Sequence, residues 1–271
     1  MKNIKDYTLQ ELKEELKILN EKPFRAEQIF SWLYKEKVKS FEEMTNLSLE
    51  LREKLSKSYT ICNFNILKKQ ESTDGTKKYL FDVLDGNAIE TVLMQYHHGK
   101  TICVSSQIGC KMGCKFCAST GIKFERSLTP GEIVEQIIAV EQDIQDKISN
   151  IVFMGIGEPF DNYDNVIKAI RILNDPKGLN IGARHISIST SGLVPKIYDL
   201  ANYNISLSKK DWDSFETSWD FEVHPFIKWS KSLRDSTAIA TTISQFYCKH
   251  IEVNSPLELC GKENVTIDLK K

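Results

Sequence analysis

Three thiols stand close together at Cys110, Cys114 and Cys117, spaced C-x3-C-x2-C within Cys110-Lys111-Met112-Gly113-Cys114-Lys115-Phe116-Cys117. Soft thiolates at this spacing suit iron–sulfur chemistry. They can hold three irons of a [4Fe–4S] cluster and leave the fourth iron open to an exogenous ligand. Structural zinc asks for four protein ligands, commonly as two C-x2-C pairs. Here the fourth would have to be Cys103, reaching back from a strand. Iron–sulfur is the favoured reading and zinc its alternative. A second motif, Gly155-Ile156-Gly157-Glu158-Pro159, is a glycine-rich loop. Alone it would be weak evidence, but with the cysteine triplet it marks a site.

Both motifs need strand ends to hold them. The pattern places a strand at 101–106, directly before the cysteine loop. Thr129-Pro130-Gly131-Glu132 combines an N-cap, a proline at the first helical position and a capping-box glutamate, starting a helix to about residue 146. A short buried strand at 151–154 leads into the glycine loop. A helix at 164–173, a strand at 185–189, a helix at 194–200 and a fourth strand at 204–207 follow. Alternating strands and helices signal a parallel sheet.

Upstream, two apolar runs at 78–84 and 88–96 flank Asp85-Gly86, a strong hairpin signal. A further turn at His97-His98-Gly99-Lys100 completes a small antiparallel linker or platform. The first 60 residues read as three small helices. Thr8 and Glu11 form a capping box before Leu9, Leu12, Leu16 and Leu19. Pro23 opens a segment to residue 35, and Ser40 with Glu43 repeats the box before Phe41, Met44, Leu47, Leu51 and Leu55. The expected division is a helical N-terminal domain at 1–60, a β linker at 61–100, a core at 101–210 and a divergent segment at 211–271. That last segment crowds Trp212, Phe215, Trp219, Phe221, Phe226 and Trp229 without a period, and no element is assigned in it.

Composition narrows the class. The 271 residues carry 36 Lys+Arg against 37 Asp+Glu, a net charge of −1, so the surface as a whole is no magnet for nucleic acid. A local basic face is first sought at Lys123 and Arg126, beside the cysteine loop. No apolar run approaches the roughly 20 residues that span a bilayer, and the polar start is no signal peptide. Seven unevenly spread cysteines are poor material for a disulfide framework. The expectation is a cytoplasmic protein with no membrane partner.

The aromatic Phe116 before the third cysteine and the small residues Ala118-Ser119-Thr120-Gly121 after it resemble the radical S-adenosylmethionine (SAM) superfamily. The glycine loop sits where that superfamily has its GGEP-like motif. Three longer stretches are more specific: 101–110 (TICVSSQIGC), 153–159 (FMGIGEP) and 189–195 (STSGLVP). With 24–34 (FRAEQIFSWLY), they resemble the dual-specificity 23S rRNA/tRNA adenine-C2 methyltransferases, from the start to about residue 202. The resemblance implies an α/β fold: an incomplete (β/α) radical SAM barrel with a small α-helical N-terminal domain. It implies a [4Fe–4S] cluster on Cys110, Cys114 and Cys117, and SAM held by Met154, Gly157, Glu158, Ser189, Ser206 and Leu207. It implies Glu90 as the acid/base residue and Cys103 as a resolving cysteine. In this family one SAM methylates a C-terminal cysteine, and a radical from a second SAM removes a hydrogen from that thiomethyl group. The methylene radical adds to adenine C2, and the resolving cysteine releases the adduct by forming a disulfide. The implied partners are 23S rRNA, tRNA and an electron donor such as flavodoxin or ferredoxin, with the protein a monomer.

The chain departs from the family after Leu200. A Ser-Leu-His strand end is replaced by Ser206-Leu207-Ser208, and the approach to it is shortened. The methyl-carrying cysteine is either Cys260, in Cys260-Gly261-Lys262-Glu263, or a residue the chain lacks, since Asn264-Val265-Thr266-Ile267 resembles a segment preceding the family's Cys-Gly-Gln-Leu motif. The tail leads us to expect impaired methylation. A C8-directed rRNA adenine methyltransferase, a zinc-stabilised RNA-binding module on Cys103, Cys110, Cys114 and Cys117, and a small-molecule radical SAM enzyme are the alternatives. Cys62 and Cys248 carry no expected role.

Overall fold

The computed structural model describes residues 1–201 except His98, Phe116 and Thr120. The expected strand at 204–207, with Ser206 and Leu207, and Ser208, Cys248, Cys260 and the segment 211–271 lie outside the described residues. The described part falls into two compact units, residues 1–113 with 118–188, and residues 114–117 with 189–201.

The first unit opens with β1 (Lys2–Asn3) and α1 (Leu9–Ile18). The Thr8 hydroxyl accepts the Glu11 N–H, and the Glu11 carboxylate accepts the Thr8 N–H. An N-cap of this kind is worth on the order of 1 kcal/mol. Helix α2 (Phe24–Ser31) continues as a π-turn over Trp32–Glu36, ended by Lys37 in the left-handed region at φ 56°. The Ser40–Glu43 capping box forms, but it starts only a 3-10 turn, Phe41–Glu43. The helix expected to run on to Leu55 is broken there. Ser48 accepts the Leu51 N–H and caps a separate α3 (Leu49–Ser58). A serine that bonds the backbone ahead of it favours a new start over continuation. Strand β2 (Tyr59–Thr60) then pairs in parallel with β1.

Strands β3 (Asn65–Glu71), β4 (Lys77–Asp82), β5 (Ala88–Tyr96) and β6 (Gly99–Cys103) follow as antiparallel neighbours. Strand β3 carried no signal in the sequence because all seven of its residues are exposed and nothing alternates. The short β7 (Gln107–Ile108) and β8 (Arg126–Ser127) pair with each other across the cysteine loop. Then come α4 (Pro130–Ile144), β9 (Asn150–Phe153), α5 (Tyr163–Asn174) and β10 (Ile186–Ile188), with β9 parallel to both β6 and β10. The six-stranded order is β10-β9-β6-β5-β4-β3. The fold is thus the expected α/β type: a helical N-terminal region and a mixed sheet of an incomplete (β/α) barrel, with no closed barrel among the described residues. The hairpin strands belong to the same sheet as the parallel strands.

Helix α4 holds this unit together. Its Thr129–Glu132 capping box and Pro130 start it as expected. It is buried on nearly every side, so its polar side chains need partners inside the protein. Glu132 takes both ends of the Arg126 guanidinium at 2.7 and 2.8 Å. Glu135 accepts Lys5 Nζ at 2.5 Å, with side-chain exposures of 1% and 2% for the lysine and glutamate. Glu141 accepts the Ile148 N–H and pairs with Lys37. Among the described residues no helix is long and apolar enough to cross a membrane.

In the second unit, α6 (Val194–Ala201) is a short helix with a Lys196–Asp199 ion pair one turn apart.

Candidate functional site

Strand register decides which side chains share a face. Cys103 stands opposite Val92 on β5 and beside Val152 on β9. Successive residues of a strand alternate faces, so Glu90 lies on the Cys103 face, two residues from Val92. This face is half-exposed, whereas Ile89, Thr91, Leu93 and Ile102 form the buried one. Glu90 is not alone there: Lys78 Nζ lies 2.8 Å from its carboxylate. Burial pushes the Cys103 thiol up, and the hydrogen bond from the Met154 N–H offsets this only in part.

The segment 104–107 leaves β6 and is bonded to the glycine loop step by step. The Gly155 N–H donates to the Val104 carbonyl at 3.1 Å, and the N–H groups of Ser106 and Gln107 both donate to the Ile156 carbonyl. The Ser105 hydroxyl donates to the Glu90 carbonyl at 2.6 Å and accepts the Ile156 N–H at 3.0 Å. The Gln107 side chain finishes the connection, its Oε1 accepting the Glu158 N–H at 2.9 Å. Close approach explains both glycines. A Cβ on Gly155 would lie 2.6 Å from the Val104 carbonyl oxygen, and one on Gly157 2.5 Å from the Gln107 Cβ. Gly157 also sits at φ +102°, where side chains are strained. The Glu158 carboxylate is buried and accepts the Phe160 N–H, while Met154 is half exposed.

From behind, Gln136 of α4 holds the same segment. Its Oε1 accepts the Ser105 N–H and the Thr91 hydroxyl, and its Nε2 donates to the Ser105 carbonyl. Sequence reasoning passed over Gln136, Ser105 and Gln107. The available signal was a glutamine inside an apolar helix, which must find a buried partner.

The cysteine loop runs between β7 and β8. Gly109 at its base adopts φ +70°, and a Cβ there would lie 2.0 Å from the Lys123 carbonyl oxygen. The Met112 N–H lies 3.5 Å from the Cys110 sulfur. Next to Cys110, Lys111 pairs with Asp161 at 2.9 Å and lies 4.2 Å from the centre of the Phe124 ring. Partial burial pushes the Asp161 carboxyl up, but Lys111 and Gln107 outweigh it and hold the group below the usual carboxylate value. Arg126 is no free basic contact. It is committed to Glu132 and to Asp85, at 2.6 Å, which leaves exposed Lys123 as the available cation of the pair.

In the second unit the Cys117 N–H donates to the Cys114 carbonyl, closing a tight turn. Ser189, the residue after β10, also belongs to this unit. Cys110 and Cys114 are part-exposed and Cys117 exposed. Among the described residues no three His, Cys, Asp or Glu side chains converge as a metal cage. Three cysteines within eight residues of sequence are the kind of donor set that iron–sulfur clusters take.

Residues 2–61 match the model of the ribosomal RNA large subunit methyltransferase N-terminal domain. Residues 104–235 match the radical SAM superfamily, so that likeness continues past residue 202, where the motif resemblance ends. The chain is 52% identical over 209 residues to a probable dual-specificity RNA methyltransferase RlmN of Clostridium novyi, covering 77% of this chain and 61% of that protein. It is also 52% identical to the corresponding Geobacillus kaustophilus protein, covering 76% of this chain and 57% of the relative. The crystal structure of a radical SAM methyltransferase from Sphaerobacter thermophilus is similar at a TM-score of 0.71 and 40% identity. That likeness covers 77% of this chain and 62% of the other. The chain thus spans about three fifths of the length of the relatives it matches.

Proposed function

From the premise that the chain belongs to the RlmN/Cfr-like radical SAM family, we propose that it is an RNA methyltransferase acting on adenine C2 in 23S rRNA and tRNA. SAM and a [4Fe–4S] cluster are the cofactors typical of this superfamily, and when bound they supply one-electron cleavage of SAM to an abstracting radical. In this reading Cys110, Cys114 and Cys117 hold the cluster. Met154, Gly157, Glu158 and Ser189, with Ser206 and Leu207 from outside the described residues, hold SAM. Glu90 moves a proton at its carboxylate, screened at rest by Lys78. Cys103, on the same face, is the resolving thiol, its proton affinity raised by burial. A cysteine-bound methylene carries the methyl carbon, with Cys260, outside the described residues, as the candidate carrier in this chain. An external one-electron donor, such as flavodoxin or ferredoxin, completes the cycle.

The observation that carries this reading is the joining of the two motifs. The glycine loop is bonded along its length to the segment that leads from Cys103 into the first cluster cysteine. The test is anaerobic reconstitution of the full chain with unmodified rRNA and tRNA fragments. Iron and sulfide near four per chain, SAM-derived 5′-deoxyadenosine and 2-methyladenine are expected. One equivalent of zinc without iron would refute the reading, and a methyl group at C8 would reassign the carbon.

A further inference from the structure

Lys111 and Asp161 lie 50 positions apart and are tied by more than one contact. The Asp161 oxygen that takes Lys111 also accepts Gln107 Nε2 at 2.8 Å. The other amide atom of that glutamine accepts the Glu158 N–H at 2.9 Å. Lys111 further rests against the Phe124 ring, on the returning limb of the cysteine loop. An exposed ion pair by itself contributes little. Here the two charges close a circuit through a buried glutamine, and both limbs of the cysteine loop enter it. Only a quarter of the Asp161 side chain is exposed, against half of the Lys111 side chain.

We propose that Lys111 and Asp161 form a clasp that positions Cys110 against the glycine loop, so that cluster and SAM meet in one register. Both are positioning residues and touch no reacting atom. The inference rests on the proposed function, in which the loop on one side binds the cluster and the other binds SAM.

The experiment compares the full chain with Lys111→Met, Asp161→Asn and the charge-keeping Lys111→Arg. In cluster-free protein, amide hydrogen exchange over residues 107–113 should be about three- to tenfold faster in the two neutral variants, as expected for loss of an ion pair with an aromatic contact. Lys111→Arg should match the parent chain. In reconstituted, reduced protein, the change that SAM causes in the cluster's electron paramagnetic resonance spectrum should be diminished in the neutral variants and restored in Lys111→Arg. Unchanged exchange overturns the clasp. Faster exchange with an unaltered SAM-dependent spectrum also overturns it, because the pair would then only stiffen the loop. If the parent chain takes up iron and responds to SAM while the variants behave like it, the clasp alone fails. If the parent chain takes up no iron, the proposed function fails, and the clasp as a device for SAM falls with it.

Discussion

Gly157 shows how a single backbone position constrains the site. Its φ of +102° and the 2.5 Å approach of the Gln107 Cβ leave no room for a side chain. Strained backbone costs on the order of 1–3 kcal/mol. Gly157→Ala should therefore weaken SAM binding by roughly tenfold or more, measured by equilibrium dialysis on the reconstituted protein. A parent-like affinity would mean that the loop does not need this conformation. The cysteines and the glycine loop were legible because each is a short run of neighbouring residues. Gln107 and Asp161 were not, since 54 positions separate them and neither has a local signature. Arg126 misled for the opposite reason: a basic residue beside a loop suggests a ligand contact, yet Glu132 six residues on had already claimed it.

At the scale of elements, α4 is more than a crossover between strands. Gln136→Leu would leave the Ser105 N–H and carbonyl, and the Thr91 hydroxyl, without their buried partner. Each such group costs about 1–3 kcal/mol. The variant should lose at least about 2 kcal/mol in urea unfolding. A loss near zero would mean that water replaces the glutamine. The start of α4 could be read directly, because a threonine, a proline and a glutamate in fixed order leave few other outcomes. Its role as a hub could not, because the partners Arg126, Lys5, Ser105 and Lys37 come from scattered segments. The sheet divides the same way. The Asp85-Gly86 turn between apolar runs announced β4 and β5, and a short apolar run announced β9, but nothing local states that β6 pairs antiparallel on one side and parallel on the other.

For the whole first unit, the buried Lys5–Glu135 pair joins the N-terminal region to the sheet's own helix. Lys5 Nζ also donates to the Cys62 carbonyl, and Glu135 accepts the Phe64 N–H, so the pair is bonded on both sides. Removing one partner of a buried pair costs roughly 3–5 kcal/mol, whereas replacing both with apolar residues is often close to neutral. Lys5→Met should destabilise the chain by that amount, and Lys5→Met with Glu135→Leu should recover much of it. A loss in the double variant equal to the sum of the Lys5→Met and Glu135→Leu losses would show that the charges are not coupled. With a net charge of −1, the proposed recognition of RNA has to rest on local shape and local cations.

The pairing of Gln107–Ile108 with Arg126–Ser127 has a consequence in polymer terms. It draws the cysteine loop into a lariat whose neck is cinched by backbone bonds, with Glu125 N–H to the Ile108 carbonyl just inside it. Bringing the ends of a loop together has an entropic cost that grows only slowly with its length. Here that cost is met by folding, before any thiol meets the cluster of the proposed function. In the proposed function, cluster assembly would then act on a loop whose ends are already joined, and cluster loss would leave that join tied.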